Sequence, residues 1–169
     1  LPASSAASDV YKRQTLELGG KAANIVYEDA AIDQAVEGVV NGIFFNQGHV
    51  CCAGSRLLLQ ESIHDEFVAK LEKRMQTLRV GNPLDKNTDI GAINSKEQLD
   101  KIEGLVNEGV SDGGKIFQTE CELPGNGFWF KPTLFTDVQP SYSIAREEIF
   151  GPVLTTLTFR TPQEAVEIA

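Results

Sequence analysis

The sequence has few cysteines, no surplus of basic residues and no long apolar run. Its three cysteines form an odd set without the spacing of a disulfide framework, which argues against a small secreted scaffold. A formal net charge of −9 argues against nucleic-acid and anionic-membrane partners, because both require a basic surface. No apolar run approaches the roughly 20 residues of a membrane-spanning helix. We therefore expect an acidic protein of the reducing cytoplasm.

The amino-terminal segment differs in composition from the rest of the chain. Residues 1–14, LPASSAASDVYKRQ, are rich in serine and alanine and lack the apolar segment of a signal peptide. We expect them to be either foreign sequence or a native flexible tail. The remaining residues, 15–169, are numerous and apolar enough to form one domain with a core.

Strand-like and helix-like segments alternate along residues 15–169. Asp29 is predicted to cap the first helix and Gly48 to end it, and residues 80–91 to form a loop. The alternation favours an α/β fold with a mostly parallel sheet flanked by helices. The apolar patterns predict strands at 24–27, 56–60, 115–118 and 153–159, and helices at about 29–46, 62–78, 95–110 and 161–169.

Two cysteines are adjacent in the segment 46-NQGHVCCAGSR-56. Cys51 and Cys52 are too close for a relaxed disulfide, and neither they nor His49 belong to a spacing typical of zinc ligands. We therefore expect no metal site. Core packing and nucleophilic catalysis remain as alternatives, since a glycine-flanked turn can surround a thiol with N–H groups that lower its pKa.

A single carboxylate lies between two leucines in 15-TLELGGK-21. An apolar setting would raise the pKa of Glu17 and make it a candidate general base. The alternative is an ordinary surface or helix-capping glutamate.

Five short motifs occur in the order typical of the aldehyde dehydrogenase superfamily, which the chain resembles from Thr15 to Ala169. The resemblance implies the catalytic-domain fold of that family, truncated at both ends. Residues 15–169 would then be a partial catalytic domain. The motifs are 16-LELGGK-21, 45-FNQGHVCCAGSR-56, 80-VGNPLD-85, 132-PTLF-135 and 147-EEIFGPV-153.

The resemblance implies a role for both candidate groups. Aligned with the family pattern G-Q-x-C-x-A, Cys51 takes the nucleophile position, Cys52 becomes an inert packing residue, and His49 replaces the usual glutamine. Cys51 would attack an aldehyde, and oxidation with NAD or NADP would leave a thioester on it. Water activated by Glu17 would hydrolyse the thioester to a carboxylic acid. The backbone N–H of Cys51 would be one oxyanion donor.

The resemblance also implies part of a cofactor site. Glu148 takes the position that contacts the nicotinamide ribose hydroxyls, and Phe150 the position beside the nicotinamide ring. Leu18 and Gly19 fall where backbone contacts to the nicotinamide are expected. His64, within a predicted helix, is expected to be a solvated surface residue.

Parts of the family's site lie upstream of Glu17, including the pyrophosphate-binding turn and an oxyanion asparagine. We therefore predict that this chain alone turns over little or no aldehyde, and that a full-length form is a homo-oligomer. Two alternatives remain: a cysteine hydrolase pairing Cys51 with His49 or His64, and a non-catalytic interaction module. Cofactor-dependent absorbance of reduced nicotinamide would distinguish the dehydrogenase from the hydrolase, and the interaction module predicts that alkylation of Cys51 changes nothing functional.

Overall fold

The sheet has five strands in the order β1–β2–β5–β4–β3 within residues 16–169, which are the residues that the computed structural model describes. Strands β1, β2, β5 and β4 run parallel, and β3 pairs antiparallel with β4. The predicted mostly parallel α/β fold is thus confirmed, whereas the prediction for residues 1–14 lies outside the described residues. The strands are β1 Ala23–Val26, β2 Arg56–Gln60, β3 Lys115–Gln118, β4 Thr133–Thr136 and β5 Val153–Phe159.

Helices flank this sheet and connect its parallel strands. Ser95 and Thr161 cap two of them, each accepting a hydrogen bond from the N–H three residues later. Among residues 16–169, no helix combines the length and apolar character that crossing a bilayer requires. The helices are α1 Ile32–Phe44, α2 His64–Met75, α3 Lys96–Ser111, α4 Ser143–Arg146 and α5 Pro162–Ile168, with 3-10 turns at Phe45–Gly48 and Glu61–Ile63.

The core lies on both faces of the sheet, as strand β2 demonstrates. Leu57 and Leu59 pack in a cluster with α1 and α2, whereas Leu58 packs on the other face with Leu157 and Phe159. All three β2 leucines have no exposed surface. A strand covered on both faces needs a continuous apolar run rather than an alternating one, which explains 57-LLL-59.

The start and end of α1 differ from the prediction. Asp29 does not cap the helix: it lies in a turn, and Ala31 occupies the cap position without a side-chain hydrogen bond. The helix ends at Phe44 because Asn46 and Gln47 adopt left-handed φ values of 48° and 58°, which an α-helix does not accommodate. The short helix α4 was not predicted at all.

Candidate active site

Three segments that carry candidate residues lead into neighbouring parallel strands. Residues 16–22 precede β1, residues 46–55 precede β2, and residues 147–152 precede β5. Because parallel strands begin at one edge of a sheet, these segments meet at the amino-terminal edge of β1–β2–β5. The topology therefore gathers Glu17, Cys51 and Glu148 at one side of the molecule.

The turn at residues 46–52 contacts the loop at residues 147–151 through two glycines. Gly48 has a φ of 75°, and a methyl group on it would lie 2.1 Å from the Gly151 carbonyl oxygen. The Gln47 side-chain oxygen accepts a hydrogen bond of 3.0 Å from the Gly91 N–H and fixes the turn from the other side. Only glycine permits this backbone approach, so the 46–52 turn is built directly on the 147–151 loop.

Both adjacent cysteines are exposed on this turn. Exposure of Cys51 leaves its thiol accessible to a small electrophile, as a nucleophile requires. The prediction that Cys52 is a packing residue is wrong, because burial begins only at Ala53, which is 6% exposed. Hydrogen bonds from the His49 N–H to the Asn46 carbonyl and from the Ala53 N–H to the Val50 carbonyl close the turn on either side.

The 147–151 loop is held by α3. The Gln98 side-chain amide donates hydrogen bonds of 2.8 and 3.0 Å to the carbonyls of Ile149 and Phe150. Phe150 has a left-handed φ of 56°, uncommon for a residue with a bulky side chain. Sequence reasoning missed Gln98, since nothing distinguishes it from the other polar residues of α3.

His49 and Phe150 form an aromatic contact between the two segments. Their rings are stacked, with centroids 5.5 Å apart and planes within 4° of each other. The Nε2 atom of His49 is buried without a hydrogen-bond partner among the described residues. Burial lowers the pKa of His49 below its usual value, because the charged imidazolium loses its hydration. The His49 side chain is therefore an uncharged, planar imidazole ring at this position.

Gly19 and Glu148, both predicted to bind the cofactor, lie against each other. A methyl group on Gly19 would be 2.9 Å from a Glu148 carboxylate oxygen, so glycine lets the carboxylate approach the chain. The two residues line a cavity of about 410 Å³. A carboxylate facing such a cavity fits a ribose, because the two carboxylate oxygens can accept hydrogen bonds from a pair of sugar hydroxyls. The other lining residues are Gly20, Lys21, Lys101, Arg146 and Glu147.

Lys21, which received no role from the sequence, is partly buried in the same cavity. Burial, with a smaller effect from the nearby Arg56 charge, lowers the pKa of Lys21 to about 8, although Glu148 opposes the shift. Its ammonium group lies 3.5 Å from the Ser55 hydroxyl. The motif 16-LELGGK-21 includes Lys21, but the charge environment depends on residues distant in sequence.

Lys21→Met is expected to stabilise the chain at pH 7 by up to about 3 kcal/mol, because folding confines a charged amine that water would solvate. The unfolded chain binds more protons than the folded chain between pH 8 and about 10.5. Wild-type stability should therefore rise through that interval, and the advantage of the variant should shrink. Thermal unfolding of both proteins from pH 7 to 10.5 tests this.

Lys101→Met is the matched control, since Lys101 lines the same cavity but is exposed. Its free energy of unfolding should stay within about 0.5 kcal/mol of that of wild type at each pH. A Lys21→Met variant less stable than wild type at pH 7 would contradict the prediction.

Glu17 does not have the apolar setting that the sequence predicted. Leu16, Glu17 and Leu18 are all exposed, because the segment before β1 crosses the surface without regular structure. No hydrogen bond joins Glu17 to Cys51 within residues 16–169. Glu17 shares the edge of the sheet with Cys51, and its carboxylate is open to water.

His64 lies at the opposite end of β2 from Cys51. His64 begins α2 after β2, whereas Cys51 lies before β2. The Nδ1 atom of His64 lies 2.9 Å from the Asp65 carboxylate. The five residues of β2 span about 16 Å, so these two side chains do not form a catalytic pair. The His64 side chain is 21% exposed and so only partly solvated. Residues 16–169 contain no cluster of three or more histidine, cysteine, aspartate or glutamate side chains placed to share a metal ion.

Known proteins resemble this chain over most of its length. An aldehyde dehydrogenase of Emericella nidulans is 47% identical over 97% of this chain and 33% of its own length. The solved NAD-dependent aldehyde dehydrogenase of Sinorhizobium meliloti is 43% identical with a TM-score of 0.89, covering 96% of this chain and 32% of that one. Betaine aldehyde dehydrogenase of Staphylococcus aureus, solved with NAD+, is 38% identical with a TM-score of 0.85, and the match covers 90% of this chain and 31% of that one.

The chain thus spans about a third of the length of these relatives. The sequence profile of the aldehyde dehydrogenase family matches residues 3–169, which is nearly the whole chain. Its five motifs, its fold and this match agree, and the chain belongs to the aldehyde dehydrogenase family.

Proposed function

We propose that the chain is the catalytic region of an NAD- or NADP-dependent aldehyde dehydrogenase, which oxidises an aldehyde to a carboxylic acid. The observation that supports this most is the contact between the 46–52 turn and the 147–151 loop. It joins the exposed Cys51 thiol to the segment that carries Glu148. A nucleophile and a ribose-binding carboxylate on adjoining segments suit a reaction that needs substrate and cofactor together.

In this proposal Cys51 carries the substrate. Its thiolate attacks the aldehyde carbon, a carbon–sulfur bond forms, and the carbonyl oxygen becomes an oxyanion near the Cys51 N–H. When bound, the nicotinamide cofactor supplies the acceptor for the hydride that leaves this carbon. Glu148 and Gly19 hold the ribose, while Phe150 and the backbone at Leu18 adjoin the nicotinamide.

Glu17 completes the reaction at the acyl group on Cys51. Its carboxylate takes a proton from water as the water oxygen bonds to the thioester carbon. The carbon–sulfur bond then breaks, which releases the carboxylic acid and restores the Cys51 thiolate. The exposure of Glu17 supports this role because water reaches the carboxylate directly.

The cellular compartment and the partners of the protein are inferred from the same chemistry. All three cysteines are free, and thiolate catalysis requires a reduced thiol, so we infer a cytoplasmic protein. We further infer that the full-length protein is a homo-oligomer and that its partner is a small aldehyde rather than nucleic acid or membrane. Residues 15–169 are a partial catalytic domain in this proposal, and the isolated chain has little or no activity.

A chimera tests the proposed function. Residues 16–169 replace the matching segment of the Sinorhizobium meliloti enzyme, which shares the fold at a TM-score of 0.89. We expect aldehyde-dependent formation of reduced nicotinamide by the chimera, and an acyl adduct on the peptide containing Cys51 by mass spectrometry. The isolated chain should give neither at a comparable rate. A folded chimera that binds NAD but oxidises no aldehyde would overturn the proposal.

A further inference from the structure

His49 occupies the position where the family pattern has glutamine, and its ring touches the loop that carries Glu148. We propose that His49 is a positioning residue: its stack on Phe150 holds the 147–151 loop, and thereby Glu148, in the conformation that binds the cofactor. This inference rests on the proposed function, since it assigns His49 a part in that same site.

The 147–151 loop needs such support because Phe150 is strained. A left-handed φ of 56° for a residue with a side chain is unfavourable and persists only when its surroundings hold it. Gln98 fixes the carbonyl groups of the loop, and the Gly48–Gly151 contact fixes its end. The His49 stack adds a restraint on the Phe150 side chain itself.

The geometry of the stack distinguishes positioning from simple space filling. With centroids 5.5 Å apart and planes within 4°, the two rings lie parallel and offset, an arrangement that needs a second flat ring and that an alanine or a branched side chain does not reproduce. The Nε2 atom of His49 is buried without a partner among the described residues, an unfavourable state that an apolar residue would avoid. The planar ring, rather than a hydrogen bond, is therefore what His49 contributes.

The consequence reaches Glu148 through two peptide bonds. Glu148 is partly buried and its carboxylate lies against Gly19, so a shift of the loop displaces it from the cavity. Loss of the stack should weaken cofactor binding more than it slows the chemical step, since the Gln47–Gly91 hydrogen bond and the backbone hydrogen bonds of the 46–52 turn still hold Cys51.

The first measurement is the proton NMR spectrum of the full 169-residue chain, which has only two histidines. The imidazole protons of His49 should give nuclear Overhauser cross-peaks to the ring protons of Phe150, whereas those of His64, which a His64→Gln variant assigns, should not. Phe150→Leu should remove these cross-peaks, which identifies Phe150 as their partner. Absence of cross-peaks between His49 and an aromatic ring, or cross-peaks that persist in Phe150→Leu, would overturn the stack and the proposal with it.

The second measurement is a double-mutant cycle on the dissociation constant of NAD in the chimera. His49→Ala should weaken NAD binding about tenfold, whereas His49→Phe, which keeps a flat ring, should stay within about twofold of wild type. In a Phe150→Leu background, His49→Ala should have no further effect. An undiminished effect in that background, or unchanged NAD affinity in His49→Ala, would overturn the proposal.

These measurements separate the failure of this inference from that of the proposed function. A chimera that binds NAD normally with His49→Ala refutes only the positioning role. A chimera that reduces no NAD refutes the dehydrogenase assignment, while the NMR spectrum still decides whether the stack exists.

Discussion

Gly48→Ala is expected to destabilise the chain by about 3–5 kcal/mol, since two unfavourable terms act together. The φ of 75° disfavours any residue with a β-carbon, and the added methyl group would lie 2.1 Å from the Gly151 carbonyl oxygen. The obstructing atom belongs to the backbone, so no side-chain rotation relieves the contact. The 46–52 turn must therefore move away from the 147–151 loop.

Gly38→Ala is the matched control for this substitution. Gly38 is exposed within α1, and a methyl group there meets no atom within 4 Å. The same chemical change should stabilise the chain by about 0.5–1 kcal/mol, because alanine favours a helix more than glycine does. Thermal unfolding should show the Gly48 variant roughly 10 °C below wild type and the Gly38 variant slightly above it.

The two variants also separate stability from cofactor binding. In the chimera, Gly48→Ala should weaken NAD binding because it displaces the segment next to Glu148, and Gly38→Ala should not. A Gly48→Ala protein with wild-type melting temperature would contradict the contact between the two backbones.

The sequence predicted four of the five strands, all except β4, and predicted them more accurately than the helix ends. The apolar run 57-LLL-59 and the segment 153-VLTTLTF-159, which contains only apolar residues and threonine, identify strands buried on both faces, because such composition is a local property of sequence. The end of α1 depended instead on the left-handed conformations of Asn46 and Gln47, which the Gly48–Gly151 contact and the Gln47–Gly91 hydrogen bond favour. Those partners are distant in sequence and leave no periodic signal.

The candidate site was predictable to a similar, limited extent. The residues alone left Cys51 between packing and catalysis, and the resemblance to a family assigned its role. The adjoining positions of Gly19 and Glu148 agree with that assignment. The exposure of Cys52 and the support from Gln98 were not predictable, because each depends on which segments the sheet order brings together.

The assignment of Cys51 rather than Cys52 as the nucleophile gives the largest expected change in activity. Cys51→Ala should lower aldehyde oxidation by the chimera at least about 10⁴-fold, because no carbon–sulfur bond can then form at that position. Cys52→Ala should leave the rate within about twofold of that of the unmodified chimera. The two thiols are chemically identical and adjacent, so each variant serves as the control for the other.

Alkylation alone does not decide between them, because both thiols are exposed and both should react. The turnover rates of the single variants do decide, provided that each binds NAD with the affinity of the unmodified chimera. If Cys52→Ala abolished oxidation and Cys51→Ala did not, the nucleophile would lie one residue further along the chain. The alignment with the family pattern G-Q-x-C-x-A is what favours Cys51, since both thiols are exposed on the turn.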